Sequence, residues 1–383
     1  MDGDVKVGAQ EAAAAVRRMT GDAAAEPLTW SVRPMAHVGI ISTTGGLHVV
    51  DGRARTADGD VPWSCVLKVV VRPPQGECFD PASWCYWRRE AAFYGSGLAT
   101  ALPAGLRAPR PYGVTEHDAE ARIWMEHVPA PEHRWSLDDF QHAGRAAGRS
   151  AGAFLSGRPV PADPWLARGF LRSILAGGGF WATTMDPATG DTWRSPLAEP
   201  FGARTRERVL RLWAGRDRLL AAAEALPPVL GHGDLHPRNI MLPAGADDIF
   251  AVDWGFCGPA PLGADLGDLV YGPVWFCDVE IADLPAVEEA AFAGYHAGLG
   301  EAGWRGDPRL VRLGFAAQVA VRMAACMPGW AALMLGPERA ASSEVLYRRP
   351  VAAVLEAWTA LAELTLDLAD EAFALAGELE SAA

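Results

Sequence analysis

Between residues 231 and 255 the chain carries two short segments whose residue types suit phosphoryl transfer. The first is Gly231-His232-Gly233-Asp234-Leu235-His236-Pro237-Arg238-Asn239, an H-x-D-x-x-x-x-N pattern continuing into Ile240-Met241-Leu242. The second is the apolar run Ile249-Phe250-Ala251-Val252, ending in Asp253-Trp254-Gly255. Phosphoryl transfer needs an acceptor hydroxyl aligned with the γ-phosphorus and a carboxylate beside it to orient it and take its proton. It also needs hard oxygen ligands that hold Mg2+ against the phosphates. Asp234 suits the first task, and Asn239 and Asp253 suit the second. The short step from Asp234 to Asn239 lets one loop serve both, and Pro237 helps to fix that loop. His236, two residues after Asp234, reads more simply as a structural hydrogen-bonding group.

These residues need elements to position them. Residues 28–71 read as strands, LTWSVRPM, HVGIIST, GLHVVDG and WSCVLKVVV, separated by glycines and Asp-Gly pairs as hairpins require. An Ala-rich helix over 5–19 precedes them. A helix over 81–99 follows, with Pro81 in its first turn, and then strands near 110–115 and 121–127. PAPEHR at 129–134 marks a boundary. After it, Ser136 and Asp139 form a capping signal for a helix whose apolar positions run from Leu137 to Phe154. Further helices are expected near 164–177, 203–225, 285–300, 308–325 and 350–380, with loop–strand–turn–strand over 228–256. The expectation is an α+β, bilobal fold, with a β-rich lobe over 1–128 and a mainly helical lobe over 129–383.

Composition narrows the function. With 383 residues, half of them apolar, the chain can bury a sizeable core. Its net charge of −13 disfavours nucleic acid, which needs a basic surface. From Asn239 to Trp304 there are 11 acids and no Lys or Arg, which favours a cationic partner unless these acids are a solvated face and helix caps. The start, MDGDVKVGAQ, has no apolar core of a signal peptide, and the six cysteines show no CxxC pair, so a cytoplasmic protein with reduced thiols is expected. The most apolar stretch, 313–335, carries Arg322 and Pro328, which reads as a buried helix pair rather than a membrane span. Only two of the 34 basic residues are lysines, Lys6 and Lys68, so a lysine inside an apolar strand suggests a place where a compact ammonium is needed.

Residues 231–242 and 251–269 resemble the aminoglycoside phosphotransferase and choline kinase family, relatives of the eukaryotic protein kinases. HGDLHPRN is close to that family's catalytic-loop signature. The resemblance implies a protein-kinase-like fold with ATP and Mg2+ between the lobes. It matches Lys68, in Cys65-Val66-Leu67-Lys68-Val69-Val70, to the strand lysine that pairs with the α- and β-phosphates. It matches Glu90 to the helix glutamate that pairs with this lysine. Asp265, in Gly263-Ala264-Asp265-Leu266-Gly267-Asp268-Leu269, matches the aspartate that braces the catalytic loop, here through His232. Ser42, Thr43, Thr44, Gly45 and Gly46 fall where the family has a loop over the nucleotide, without a G-x-G-x-x-G. Glu126 and Val128 fall at the hinge that meets adenine through its backbone. Two departures are Trp254 in place of the usual phenylalanine and Arg238 where many members have glycine. The plain alternatives are a snorkelling strand-end lysine for Lys68, an exposed helical glutamate for Glu90, a helix cap for Asp265 and a hairpin turn for 42–46.

The resulting expectation is an ATP-dependent kinase of a hydroxyl on a small molecule, an amine-bearing natural product fitting best. The sequence does not separate ATP from GTP. One alternative is a kinase of Ser or Thr in a peptide, working with a partner protein. The other is a nucleotide-binding pseudokinase, which the intact Lys68, Asp234, Asn239 and Asp253 argue against. Trp254 and Trp275 are candidates to line the acceptor cleft.

Overall fold

The computed structural model describes residues 5–35, 43–73, 76–129, 133–176, 186–189, 191–243 and 245–382. Strands β1 (Glu26–Pro34), β2 (Thr44–Thr56) and β3 (Gly59–Val71) follow one another as antiparallel hairpins. The short β4 (Leu106–Arg107) belongs elsewhere, while β5 (Pro111–Glu116) and β6 (Glu120–Glu126) complete a five-stranded sheet in the order β1-β2-β3-β6-β5. β3 is its middle strand. Side-chain alternation divides it: Cys65, Leu67 and Val69 pack with Ala12, Ala15 and Val16 of the helix Ala9–Thr20, while Val66 and Val70 join the main core. Lys68 shares the parity of Val66 and Val70 and so enters the sheet face that looks toward the helical half. The expected strand over 37–43 lies almost entirely outside the described residues.

The helix expected over 81–99 is confined to Arg89–Gly95. Its favourable composition loses to a buried guanidinium. Arg89, wholly inaccessible to solvent, donates to the carbonyls of Pro81, Ser83, Trp84, Trp165 and Gly255. Three of those carbonyls belong to 81–88 and are turned toward Arg89 instead of along a helix axis. Cys85 in this segment is disulfide-bonded to Cys78 just before it, which corrects the expectation that all six cysteines are reduced.

After Trp135 helices dominate. Leu137–Leu155 starts at a complete capping box, in which Ser136 and Asp139 each bond the other's backbone N–H. It lies against Leu284–Glu301 at a separation only glycine allows. A Cβ at Gly144 or Gly148 would stand about 2 Å from the carbonyls of Ala291 and Tyr295. The expected 164–177 helix shrinks to Phe170–Leu175, while Gly202–Glu224 and Val351–Ala382 form where periodicity placed them. Met327–Met334 is the second member of the helix pair expected over 313–335, while Ala264–Trp275 and Ala340–Tyr347 are additional helices.

Among the described residues no single helix is long and apolar enough to cross a membrane. The pair Pro308–Ala324 with Met327–Met334 passes on length and composition but is bent by 44°. Most of its side chains are core. Between the helices, β7 (Pro228–Gly231) pairs with β10 (Gly258–Pro261), and β8 (Ile240–Met241) and β4 flank β9 (Ile249–Ala251). These short pairings hold the two chemistry-bearing segments side by side.

Candidate active site

The loop after β7 is shaped by backbone contacts. Gly233 has φ +79°, and a Cβ there would meet the Phe256 carbonyl oxygen at 2.9 Å, so a side chain is excluded on two grounds. Asp265, at the start of Ala264–Trp275, accepts the N–H of His232 at 2.9 Å and of Gly233 at 3.0 Å. It therefore braces the loop through its backbone and not through the imidazole, which differs from the expectation. The fully buried His232 instead ties the loop to the second segment. Its Nε2 lies 2.9 Å from the Val252 carbonyl and its Nδ1 3.2 Å from the Asp234 N–H. A carbonyl can only accept and an N–H can only donate, which fixes the ring as the neutral Nε2–H tautomer. Burial, the largest influence, lowers its pKa in keeping with this.

The second segment ends at Asp253, whose φ of 64° and ψ of 62° lie in the left-handed region at a cost of about 1–3 kcal/mol. Trp254 behind it is fully buried, stacks on Phe93 at 4.5 Å and donates its indole N–H to the Ala251 carbonyl at 2.8 Å. Turning the chain this way lets Asp253 meet Lys68. The Lys68 ammonium lies 2.9 Å from Asp253 Oδ1 and 2.6 Å from Glu90 Oε2, with both Lys68 and Glu90 buried. Phe93 and Trp254 thus place Glu90 and Asp253 on either side of the same lysine. Burial pulls the lysine pKa down, but the Asp253 and Glu90 charges outweigh it and hold it above its ordinary value. Burial pushes the Glu90 carboxyl up to about 7 against the opposing charge of Lys68. Lys68 stays charged, and Glu90 is the member whose charge is costly to maintain.

Asp234 has both oxygens engaged. Asn239 donates its amide to Asp234 Oδ2 at 3.1 Å and to the Asp234 carbonyl at 3.0 Å, and His236 Nε2 stands 3.4 Å from the same Oδ2. The other oxygen, Oδ1, receives the guanidinium of Arg322 at 2.6 Å. Burial pushes the Asp234 pKa up, but His236 and Arg322 outweigh it and hold the carboxyl below the ordinary range. Arg322 is the site residue that sequence reasoning missed. Its signal was present, an arginine inside the most apolar stretch of the chain, and served only to argue against a membrane span. The His236 ring also lies edge-on to Phe276.

Other expected contributors carry structural contacts of their own. Ser42 lies outside the described residues, Thr43 accepts the Val71 N–H, and Thr44, Gly45 and Gly46 are the beginning of β2 rather than a loop. A Cβ on Gly45 would meet the Val71 side chain at 2.5 Å, so any larger residue there would need Val71 to shift. The Glu126 N–H donates to the Arg110 carbonyl at 2.9 Å. Trp254 is core, and Trp275 lies 4.1 Å from Trp358, so neither lines an open cleft. Arg238 grips Asp278 through two nitrogens at 2.7 and 2.9 Å and lies 4.4 Å over Phe276, a packing role.

The acidic run also changes meaning. Asp248, Asp253, Asp268, Asp278, Glu280, Glu288 and Glu301 are ion-paired with Arg149, Lys68, Arg322, Arg238, Arg349, Arg312 and Arg145, and Asp265 serves the loop. Cations distant in sequence neutralise most of what looked like an uncompensated field. Among the described residues no cluster of three or more His, Cys, Asp or Glu side chains suits a metal. Asn239 and Asp253, brought alongside each other by the 2.9 Å bond from the Val252 N–H to the Asn239 carbonyl, are the oxygen-bearing residues available to an ion that shares its coordination with phosphates and water.

A family model described as APH, the phosphotransferase enzyme family, matches residues 87–306. No curated protein sequence matches the chain significantly. Among solved structures, amicoumacin kinase hAmiN in complex with AMP-PNP, Ca2+ and Ami is similar at 14% identity, over 85% of this chain and 88% of that one, with a TM-score of 0.50. A Plasmodium vivax ethanolamine kinase is similar at 13% identity over 86% and 82%, with a TM-score of 0.46. A type VIII aminoglycoside-3'-phosphotransferase is similar at 16% identity over 73% and 90%, with a TM-score of 0.31. The first of these likenesses bears on the fold, an α+β, protein-kinase-like architecture with a β-rich N-terminal sheet and a helical C-terminal part.

Proposed function

The chain belongs to the phosphotransferase enzyme family, and from that premise we propose that it transfers the γ-phosphate of ATP to a hydroxyl group of a small molecule. The observation that carries this reading is a convergence. Lys68 on β3, Glu90 on its helix and Asp253 on its turn meet at the lysine ammonium, Asp234 pairs with Asn239 on one loop, and His232 and the Asn239 carbonyl tie that loop to Val252, next to Asp253.

In this reading Glu90 aims the Lys68 ammonium at the α- and β-phosphates, and Asn239 and Asp253 hold Mg2+. A bound Mg2+ supplies neutralisation of phosphate charge as the transfer proceeds. Asp234 accepts a hydrogen bond from the acceptor hydroxyl, aligns its oxygen with the γ-phosphorus and takes its proton as the new P–O bond forms and ADP leaves. The Glu126 carbonyl and the Val128 N–H are assigned to the nucleobase, and Thr43 to Gly46 to the phosphate side. Because most acids of 239–304 are paired, an amine-bearing acceptor no longer follows from charge, and the proposal extends to small hydroxylated molecules generally.

The test is ADP release from ATP–Mg2+, and from GTP–Mg2+, across aminoglycosides, amino sugars, nucleosides, ethanolamine-like amines and Ser/Thr peptides. Turnover dependent on one small-molecule class supports the proposal. Turnover with peptides alone moves the assignment to a peptide kinase, and nucleotide binding with no turnover on any acceptor argues against an enzyme.

A further inference from the structure

Pro308–Val319 does not continue as an α-helix. Over Ala320–Ala324 it widens into a π turn, with the Ala325 N–H donating to the Ala320 carbonyl at 2.9 Å. Single π turns inside helices are frequent at functional sites, where the extra residue re-aims a side chain at the expense of regular packing. The residue at the centre of this one is Arg322. One guanidinium nitrogen reaches Asp268 Oδ1 at 2.7 Å and the Gly233 carbonyl at 2.6 Å, and the other reaches Asp234 Oδ1 at 2.6 Å. Asp268 is in turn held by the Gln318 amide at 3.1 Å, one helical turn before Arg322.

Resting on the reading of Asp234 given above, we propose that Arg322 is a positioning residue for phosphoryl transfer, fixing the Asp234 carboxylate in the orientation from which it meets the acceptor hydroxyl. Neutralising the buried Asp268 occupies only one nitrogen of the fork. The second passes to Asp234 and takes Oδ1, while Asn239 and His236 take Oδ2, so the carboxylate plane is held from both edges. A guanidinium suits this better than an ammonium, since its rigid planar fork fixes one nitrogen toward each carboxylate where an ammonium is a rotatable point charge. The Gly233 contact adds a hold on the residue just before Asp234. Gln318, Asp268 and Arg322 therefore form a relay of side chains that ends on the base.

The experiment is a double-mutant cycle in single-turnover transfer, combining Arg322→Lys with Asp234→Asn, beside nucleotide affinity and thermal midpoint. Misplacing a reacting group by about 1 Å can cost about a hundredfold in rate, and a loss of that order is expected for Arg322→Lys with nucleotide affinity unchanged. In the Asp234→Asn background the same substitution should cost little more, because its route of action is gone. Equal losses in both backgrounds, or no loss in either, overturn the proposal while leaving the role of Asp234 intact. Full activity of Asp234→Asn overturns the underlying reading instead. Should Arg322→Lys fail to fold, Asp268→Asn keeps the volume and loosens Arg322, and the same non-additive pattern is required of it.

Discussion

Arg89 donates to the carbonyl of Gly255 at 2.9 Å, joining the start of the Glu90 helix to the turn that carries Asp253. The two residues flank Glu90 and Asp253, the partners of Lys68. The wholly buried guanidinium of Arg89 thus acts as a pin between both halves of the site.

Truncating this pin should be costly. Arg89→Met leaves five carbonyls without that donor, each buried orphan costing about 1–3 kcal/mol, partly relieved where water reaches the loop. A loss of at least about 3 kcal/mol is expected in urea unfolding. Activity should fall even where the variant is folded, since Glu90 and Asp253 lose their common anchor.

Lys68→Met should abolish most turnover and should also leave Glu90 buried without its closest cation, a change of about 3–5 kcal/mol. The pH dependence has a definite sign. Glu90 has a folded pKa above its unfolded value of 4.5, raised by burial, so it binds more protons folded than unfolded between the two. Its stability contribution is fully present below about 4.5 and is lost as pH rises through the folded value. Without Lys68 that folded value climbs further. Thermal midpoints of Lys68→Met against wild type should therefore differ most near pH 8 and converge toward pH 5.

His232 works in the opposite sense. Its folded pKa is lowered by burial, so its contribution is complete above the unfolded value of 6.5 and is lost as pH falls below it. The geometry gives the reason, since protonating Nδ1 would set it against the Asp234 N–H. His232→Gln should be less stable than wild type at pH 8, and the gap should narrow on titration to pH 5. An unchanged gap would mean that the ring is not held neutral.

Much of the site was legible because its chemistry is local. Asp234 and Asn239 share one loop, Asp253 ends a recognisable apolar strand, and Lys68 stood out in a chain that otherwise uses arginine. The pairing of Arg322 with Asp234 was not legible, because 88 positions separate the two and Arg322 is one of 32 arginines. Only the packing of a bent helix brings it to the loop. The helix expected over 81–88 fails for a related reason, as local propensity cannot foresee a distant demand on the same carbonyls. The acidic run of 239–304 misled in the same way, because its cations come from Arg145, Arg149, Arg312 and Arg349, outside the segment.

The most direct test is phosphoryl transfer from ATP–Mg2+ to a competent acceptor by wild type and Asp234→Asn, with nucleotide affinity measured on both. The account predicts equal nucleotide affinity and a loss of transfer by about a hundred- to ten-thousandfold, the range expected on removing a positioned base. Transfer undiminished in Asp234→Asn would contradict it.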